Sequence, residues 1–382
     1  MKVAIIGSGV SAIIAAKTFL EYNCTVYLLD AENYKEKISI NKSNKFFPKI
    51  NKSPKFQSKS ILNSFAKFKS KYKIKTKNFF LASGLISGGL SNFWGAGIEV
   101  PNSNYLKKYP NGKSILKEKN YIDKEMGLDP TNFSFYNLFY NQKIVKNFLK
   151  KKNKSVYFSK LPLALKQFNK KKLTIEYYNN LDLLNNNSKV YNAKHQIPEL
   201  LKNKNFNYIP NIFVQNIVKH KNNYMLISSS KKKINLKFDK VVISAGTIGS
   251  TILVDRVLDL KEKYRLFHTP TLKLMYFNLL LPFKGNHKIT FSLPLLNLNV
   301  FHKKEKFVGS FMYLNDIKNT FFGISKNNIL FTFFKKFFYV GNIFLSPNYS
   351  NTYISLKNRE TLIYSNNTFN KNELALNLKK KN

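Results

Sequence analysis

The residues best placed to do chemistry lie in the first thirty positions. The stretch "VAIIGSGVSAIIAA", residues 3–16, carries Gly7-x-Gly9-x-x-Ala12, and "TVYLLD", residues 25–30, ends in the carboxylate of Asp30. Glycine at position 7 permits a tight strand-to-helix turn, and glycine at position 9 lets the backbone approach a pyrophosphate. A small residue at position 12 lets the helix pack closely on the strand. The helix N-terminus then presents unpaired N–H groups and a partial positive charge to phosphates. Asp30, eighteen residues beyond Ala12, is spaced to accept hydrogen bonds from ribose hydroxyls. These residues together predict a dinucleotide site, and an acid at position 30 favours FAD or NAD over NADP, which wants a basic residue there.

Two further clusters of glycine point to the same site. "GLISGGLSNFWGAGI", residues 84–98, holds five of the chain's fifteen glycines and its only tryptophan, and "KVVISAGTIGSTILVDRVL", residues 240–258, holds two more. Nine of the fifteen therefore fall in three short segments. In a chain so sparing with glycine, these mark backbone positions where a Cβ cannot be accommodated. Gly88 and Gly89, followed by Ser91 and Asn92, are expected to set small residues and hydrogen-bonding groups against a bound cofactor.

The elements that must position these residues follow from hydrophobic pattern. The apolar run Val3–Ile6 reads as a buried parallel strand followed by a helix, and "TVYLL" as a second strand. "VVISA" is a third strand, leading into the helix "STILVDRVL" with Ile252, Leu253 and Val257 on one side. Before it stand "NIFVQNIV", "NYMLISS" and "INLKFD", separated by Lys/Asn-rich turns at 219–223 and 230–232, which reads as a β-meander. The predicted fold class is α/β: an FAD-binding, Rossmann-like doubly wound parallel sheet plus meander, with a second, antiparallel-sheet substrate domain. The FAD-binding domain is discontinuous, residues 1–100 and 206–260. Residues 101–205 read as a Lys/Asn-rich helical insertion containing "FSFYNLFYNQKIVKNFL". Residues 265–356 are strand-like and predict an antiparallel sheet, within which 330–345, "LFTFFKKFFYVGNIFL", reads as a helix leading into a strand. Residues 366–382 read as a frayed polar tail.

Composition narrows the function classes. At 382 residues, 43% hydrophobic and 15% aromatic, the chain is long enough for two domains and belongs with folded proteins. Its one cysteine, Cys24, excludes a disulfide framework and a Cys-based zinc or iron–sulfur site, and fits a reducing cytoplasm. The net charge of +44 invites a nucleic-acid reading. Against it, only Arg256, Arg265 and Arg359 are arginine, the better bidentate partner for phosphates and bases, while lysines are scattered along the whole chain. Enrichment in Lys, Asn, Ile, Phe and Tyr matches AT-rich coding, so no specific nucleic-acid partner is expected. Residues 78–98 carry no charge, yet their glycines, serines and asparagines make a poor hydrocarbon-facing helix, so no membrane span is expected. The five histidines, His195, His220, His268, His287 and His302, show no metal-ligand spacing, and none is marked as a base. No metal site is expected and the catalytic residues stay unassigned.

The three motifs together resemble the glucose–methanol–choline (GMC) family of flavoprotein oxidoreductases over residues 1–260. "GGLSNFWGAG" and "SAGTIGSTILV" are similar to a bacterial branch associated with surface-polysaccharide or sugar-alcohol chemistry. The resemblance implies FAD as cofactor, its ADP half held by Gly7, Gly9, Ala12 and Asp30. Gly88, Gly89, Ser91 and Asn92 would run along the pyrophosphate and isoalloxazine. Val214 would meet the adenine through its backbone, and Ala245 and Gly246 would return the chain beside the FAD. It implies oxidation of an alcohol, a sugar or polyol, by hydride transfer to the flavin. That family keeps a catalytic histidine, paired with a second His or Asn, in a C-terminal segment that also closes over the flavin. This chain ends "FNKNELALNLKKKN", so that segment is expected to be missing. An interrupted product, a split-enzyme half needing a protein partner for the segment, and a degenerate relative stay open. So do a non-catalytic FAD-binding subunit and another two-domain flavoprotein such as an amino-acid oxidase-like enzyme.

Overall fold

The computed structural model describes residues 1–36, 59–92, 94, 97–98, 111–127, 156–159, 164, 191–229, 236–260, 263–277, 296–302, 305–313, 328–334, 337–345, 349–357 and 360–366. In chain order the first part runs β1 (Lys2–Ile6), α1 (Val10–Glu21), β2 (Thr25–Leu29), α2 (Lys59–Lys71) and β3 (Ile74–Lys77). Then come α3 (Gly112–Lys117), α4 (Lys119–Glu125), β4 (Val156–Ser159), α5 (Ile197–Leu200), β5 (Phe206–Ile209), β6 (Val214–His220), β7 (Asn223–Ser228), β8 (Lys237–Phe238), β9 (Lys240–Ile243) and α6 (Gly246–Leu258). The last part comprises β10 (Lys263–Leu266), β11 (Thr271–Phe277), β12 (Leu296–His302), β13 (Glu305–Tyr313), α7 (Ile329–Phe334), β14 (Phe338–Phe344), β15 (Thr352–Lys357) and β16 (Glu360–Ser365).

The sheet that matters for the site is wholly parallel, in the order β5-β2-β1-β9. Parallel strands are covered on both faces and so read as continuous apolar runs, and Val3–Ile6 and Leu28–Leu29 are accordingly buried. α1 packs on the sheet with Ala12, Ile13, Ala16 and Leu20 turned inward. On the other face, Ala4, Ile6 and Leu29 share a core with Ile217, Leu226 and Phe238 of the meander and with Leu253 of α6. Tyr27 meets Phe238 edge-on there, ring centroids 5.4 Å apart. The two-residue period of a strand thus sends alternate residues of β1 to a helix layer and a meander layer. The α/β class and the meander β6-β7-β8 agree with the sequence reading.

α6 joins this sheet to a second one, β10-β15-β16-β3, in which β16 runs parallel to β3 and the other pairs are antiparallel. Ile248 and Ile252 of α6 pack with Phe68 of α2, with Tyr72 just beyond its end, and with Ile354 and Ile363 of the sheet. Gly249 makes the approach close, because a Cβ there would stand 2.9 Å from Tyr72 Oη. Burial in this layer pushes the Tyr72 phenol up to about 12. A third sheet, β11-β14-β13-β12-β4, is antiparallel throughout, with Val300, Phe307, Ile343 and Leu345 as its core.

Three expectations need correction. Residues 352–357 leave the antiparallel sheet expected over 265–356 and pair with β10 and β16; alternation identifies a strand but not its partner. The 101–205 segment, expected to be helical, contributes "VYFS" as β4, an edge strand on β12, as its β-branched and aromatic residues allow. Val257 is exposed, unlike Ile252 and Leu253 on the same helix. The helical reading of 133–149 and the tail 367–382 lie outside the described residues. Among those described, no helix is long and apolar enough to cross a membrane.

Candidate functional site

β1 and β9 are neighbouring parallel strands, so the helices that follow them, α1 and α6, begin side by side at the carboxyl ends of the sheet. That crevice is where open α/β sheets bind ligands. Neither helix caps itself: Gly9 and Ala245 at the N-caps make no side-chain cap bond, and neither first turn holds an acid. Their leading N–H groups are left to face an anion.

The glycines around this crevice are required for different reasons. Gly7 has φ +105°, and a Cβ there would lie 2.4 Å from the carbonyl oxygen of Ser244. Its N–H donates to Leu29 O at 2.8 Å, which fixes the turn between three strands. Gly9 has φ −69° and ψ −177°, extended backbone that any residue adopts, and no atom of the described residues lies within 4 Å of its would-be Cβ. Neither its conformation nor packing among the described residues accounts for glycine at position 9. Gly88, at φ +83°, is pressed against Lys194 and donates its N–H to Ser8 Oγ at 3.0 Å. Gly89, at φ +58°, would bring a Cβ to 3.3 Å from Gly9 Cα. Gly246 has φ +72°, with no atom of the described residues within 4 Å of its would-be Cβ. The structure thus brings together Gly7, Gly9, Gly88, Gly89, Ala245 and Gly246, with Ala12 fully buried beneath.

The side chains of Ser91 and Asn92 are bonded within the protein. Ser91 Oγ donates to Gly88 O at 2.6 Å and accepts from the Ala193 N–H at 3.0 Å. Asn92 Nδ2 donates to the carbonyls of Ser87 and Gly89, both at 2.8 Å, and its Oδ1 accepts from Asn192 Nδ2 at 3.0 Å. Their side chains fasten the glycine turn to residues 191–196, and Trp94 Nε1 adds a bond to Tyr191 O at 2.9 Å. The side chain of Val214 sits in the core shared by the parallel sheet and the meander.

Asp30 is only 3% exposed. Tyr208 Oη donates to its Oδ2 at 3.0 Å and the Glu32 N–H to its Oδ1 at 3.3 Å. Burial pushes its carboxyl above the ordinary value, while the hydroxyls of Ser87 and Ser8, the Glu32 amide and Tyr208 pull the other way. Beside it opens a cavity of about 210 Å³ whose lining includes Glu32, Lys67, Leu85, Ile86, Ser87 and Lys194. Lys67 Nζ meets Glu32 Oε1 and Oε2 at 3.1 and 3.3 Å. Burial raises the Glu32 carboxyl, with Lys67 opposing, and lowers the Lys194 ammonium. Lys194 Nζ donates to the Glu36 carbonyl. Ser87 is 2% exposed, its hydroxyl turned to Asp30 and Tyr208.

The sequence reading did not single out Glu32, Ser87, Asn192, Lys194 or Tyr208. Ser87 stands next to Gly88-Gly89 and could have been found as a hydroxyl beside a forced turn. Asn192 and Lys194 lie a hundred positions away in a background crowded with Asn and Lys, where they carry no signal. His268 pairs with the buried Ser350, Nδ1 to Oγ 2.7 Å, and meets Phe79 edge-on. It sits beside the second sheet and does not line the cavity. No group of three or more His, Cys, Asp or Glu that could hold a metal occurs among the described residues.

No protein-family model matches the chain, and no curated protein matches it. Among solved structures, an L-amino acid deaminase from Proteus vulgaris is similar over 81% of this chain, at 11% identity and a TM-score of 0.25. The chain spans 60% of that protein's length. A TM-score this low does not establish a shared fold, and nothing about the site is carried over from it.

Proposed function

We propose that the chain binds FAD where its three glycine clusters converge and acts as an oxidoreductase of GMC type, oxidising a sugar or polyol alcohol. The observation that carries this reading is Gly9. A Cβ built there has no atom of the described residues within 4 Å, between two uncapped helix N-termini. A pyrophosphate suits that space, because backbone donors and helix dipoles favour an anion and a side chain at position 9 would exclude it. Gly7 would hold the turn, Gly89 would let the second cluster approach Gly9, and Ser91 and Asn92 would keep that cluster in register. FAD, when bound, supplies an acceptor for a hydride; the protein's part is to orient it and shield it from water. The catalytic base is not assigned to any residue.

The test is the visible spectrum of the purified full chain, followed by anaerobic addition of sugars, polyols, simple alcohols and amino acids. Bound flavin that bleaches with an alcohol or sugar is the expected result. Bleaching by amino acids alone would move the activity to the amino-acid oxidase-like alternative. Bound flavin that none of them bleaches would leave an FAD-binding subunit without the proposed oxidation. A folded chain that neither retains nor takes up FAD would overturn the reading.

A further inference from the structure

Apolar side chains left in water are normally scattered singly over a surface. At one end of the antiparallel sheet β11-β14-β13-β12-β4 they are gathered. α7 leads into β14, and the register of β14 on β11 brings Phe277 to that same end. Ile329 is 80% exposed, Leu330 72%, Phe333 and Phe334 each 53%, and Phe277 45%. The rings hold one another: Phe333 stands 5.8 Å from Phe334 and 5.4 Å from Phe337, and Phe337 stands 6.1 Å from Phe277, centroid to centroid. Asn328 caps the helix, its Oδ1 accepting from the Phe331 N–H at 2.8 Å. Thr332, the one polar residue of α7, donates its hydroxyl to the Asn328 carbonyl at 2.8 Å, so that polar atom is already satisfied within the helix.

Charge decides what covers this face. Residues 263–359 hold fourteen Lys and Arg against two acids, Glu305 and Asp316, and Lys326, Lys335 and Lys336 flank α7 in the sequence. A second copy would match the apolar side chains but bring the same +44 charge against its own. A nucleic acid would answer the lysines but has no apolar interior to receive Ile329 and Leu330. An anionic bilayer answers both: bulky apolar side chains enter at the level of its headgroups, and its negative surface potential draws in lysine. We propose that the chain docks on anionic phospholipid membranes through this patch, with Ile329, Leu330, Phe333 and Phe334 set into the interface. At six residues α7 is far short of the ~20 that cross a bilayer, so it lies in the surface and does not span it. The proposal is independent of the dinucleotide reading and outlives its failure.

The experiment sediments the full chain with vesicles of phosphatidylcholine alone and of phosphatidylcholine mixed equally with phosphatidylglycerol, at about 0.15 M salt. The parent is compared with the double variant Leu330→Ser, Phe334→Ser, which keeps every charge, and circular dichroism confirms folding. The parent should bind the mixed vesicles and leave the neutral ones, and the double variant should bind the mixed vesicles about 10-fold more weakly or worse. A Leu330→Trp chain, read against the parent with its own Trp94, should emit at shorter wavelength on the mixed vesicles and be quenched by brominated acyl chains. Equal binding by parent and double variant, with no shift in emission, would mean that lysines alone adhere to the lipid and would overturn the proposal. Self-association that the double variant loses, without vesicle binding by the parent, would give the patch to a second copy instead.

Discussion

Gly7 and Gly9 are two residues apart, and their surroundings are opposite. At Gly7 the φ is positive, a Cβ would collide with Ser244, and the amide is bonded to Leu29. At Gly9 the backbone is ordinary and no atom of the described residues lies within 4 Å of a Cβ built there. The first glycine is required by the way three parallel strands meet. Nothing among the described residues requires the second, and that is what the proposed ligand would explain. The same division runs through the other clusters, where Gly88 is wedged against Lys194 while no atom of the described residues lies within 4 Å of a Cβ built at Gly246.

Substitutions at these positions would break or sharpen the comparison. Gly7→Ala should be the most damaging to the fold, costing about 3 kcal/mol or more from the combined backbone strain and clash; chemical denaturation would read it. Gly9→Val should unfold at nearly the parent's denaturant midpoint while its affinity for FAD falls on the order of 100-fold, roughly 2.7 kcal/mol. Ser91→Ala removes a donor to Gly88 O and leaves the buried Ala193 N–H unpaired. It should cost about 1–3 kcal/mol and weaken FAD binding only through the turn it fastens. Equal losses of stability for Gly7→Ala and Gly9→Val would erase the contrast.

The smallest effect concerns pH. Burial raises the Asp30 carboxyl above its ordinary value of 3.8, so the folded chain holds that proton more tightly than the unfolded chain. Its contribution to stability is therefore fully present below 3.8 and is lost as pH rises through the raised folded value. Asp30→Asn stays neutral throughout. Its stability relative to the parent should increase from pH 4 toward pH 7, measured by denaturation at each pH. A constant difference would show that burial does not govern this carboxyl.

What was legible in the sequence was local. Val3–Ile6 announced a buried strand, Gly7-x-Gly9 a turn, and "NIFVQNIV" with "NYMLISS" a meander, because each depends on a period or a backbone conformation that neighbouring residues specify. Long-range partnership was not legible. Nothing in "IKTK" says that β3 receives β16 from the far end of the chain, and nothing in "NTYISLK" says that it avoids the sheet before it. The site shows the same limit. Glycines could be found because they are scarce here, whereas Lys194 and Asn192 disappear among the many lysines and asparagines. The bonds that Ser91 and Asn92 make to Gly88, Gly89 and residues 192–193 were not legible either, because a hydroxyl and an amide beside glycines suit a ligand or a turn equally well.

The central claim is that the vacancy at Gly9 belongs to a dinucleotide. The most direct test is the flavin content of the parent and of Gly9→Val after incubation with FAD and desalting, with thermal unfolding run on the same samples. The account predicts near-stoichiometric flavin in the parent, and a folded Gly9→Val chain that retains almost none. Equal flavin in both, or a folded parent with no flavin at all, would contradict it.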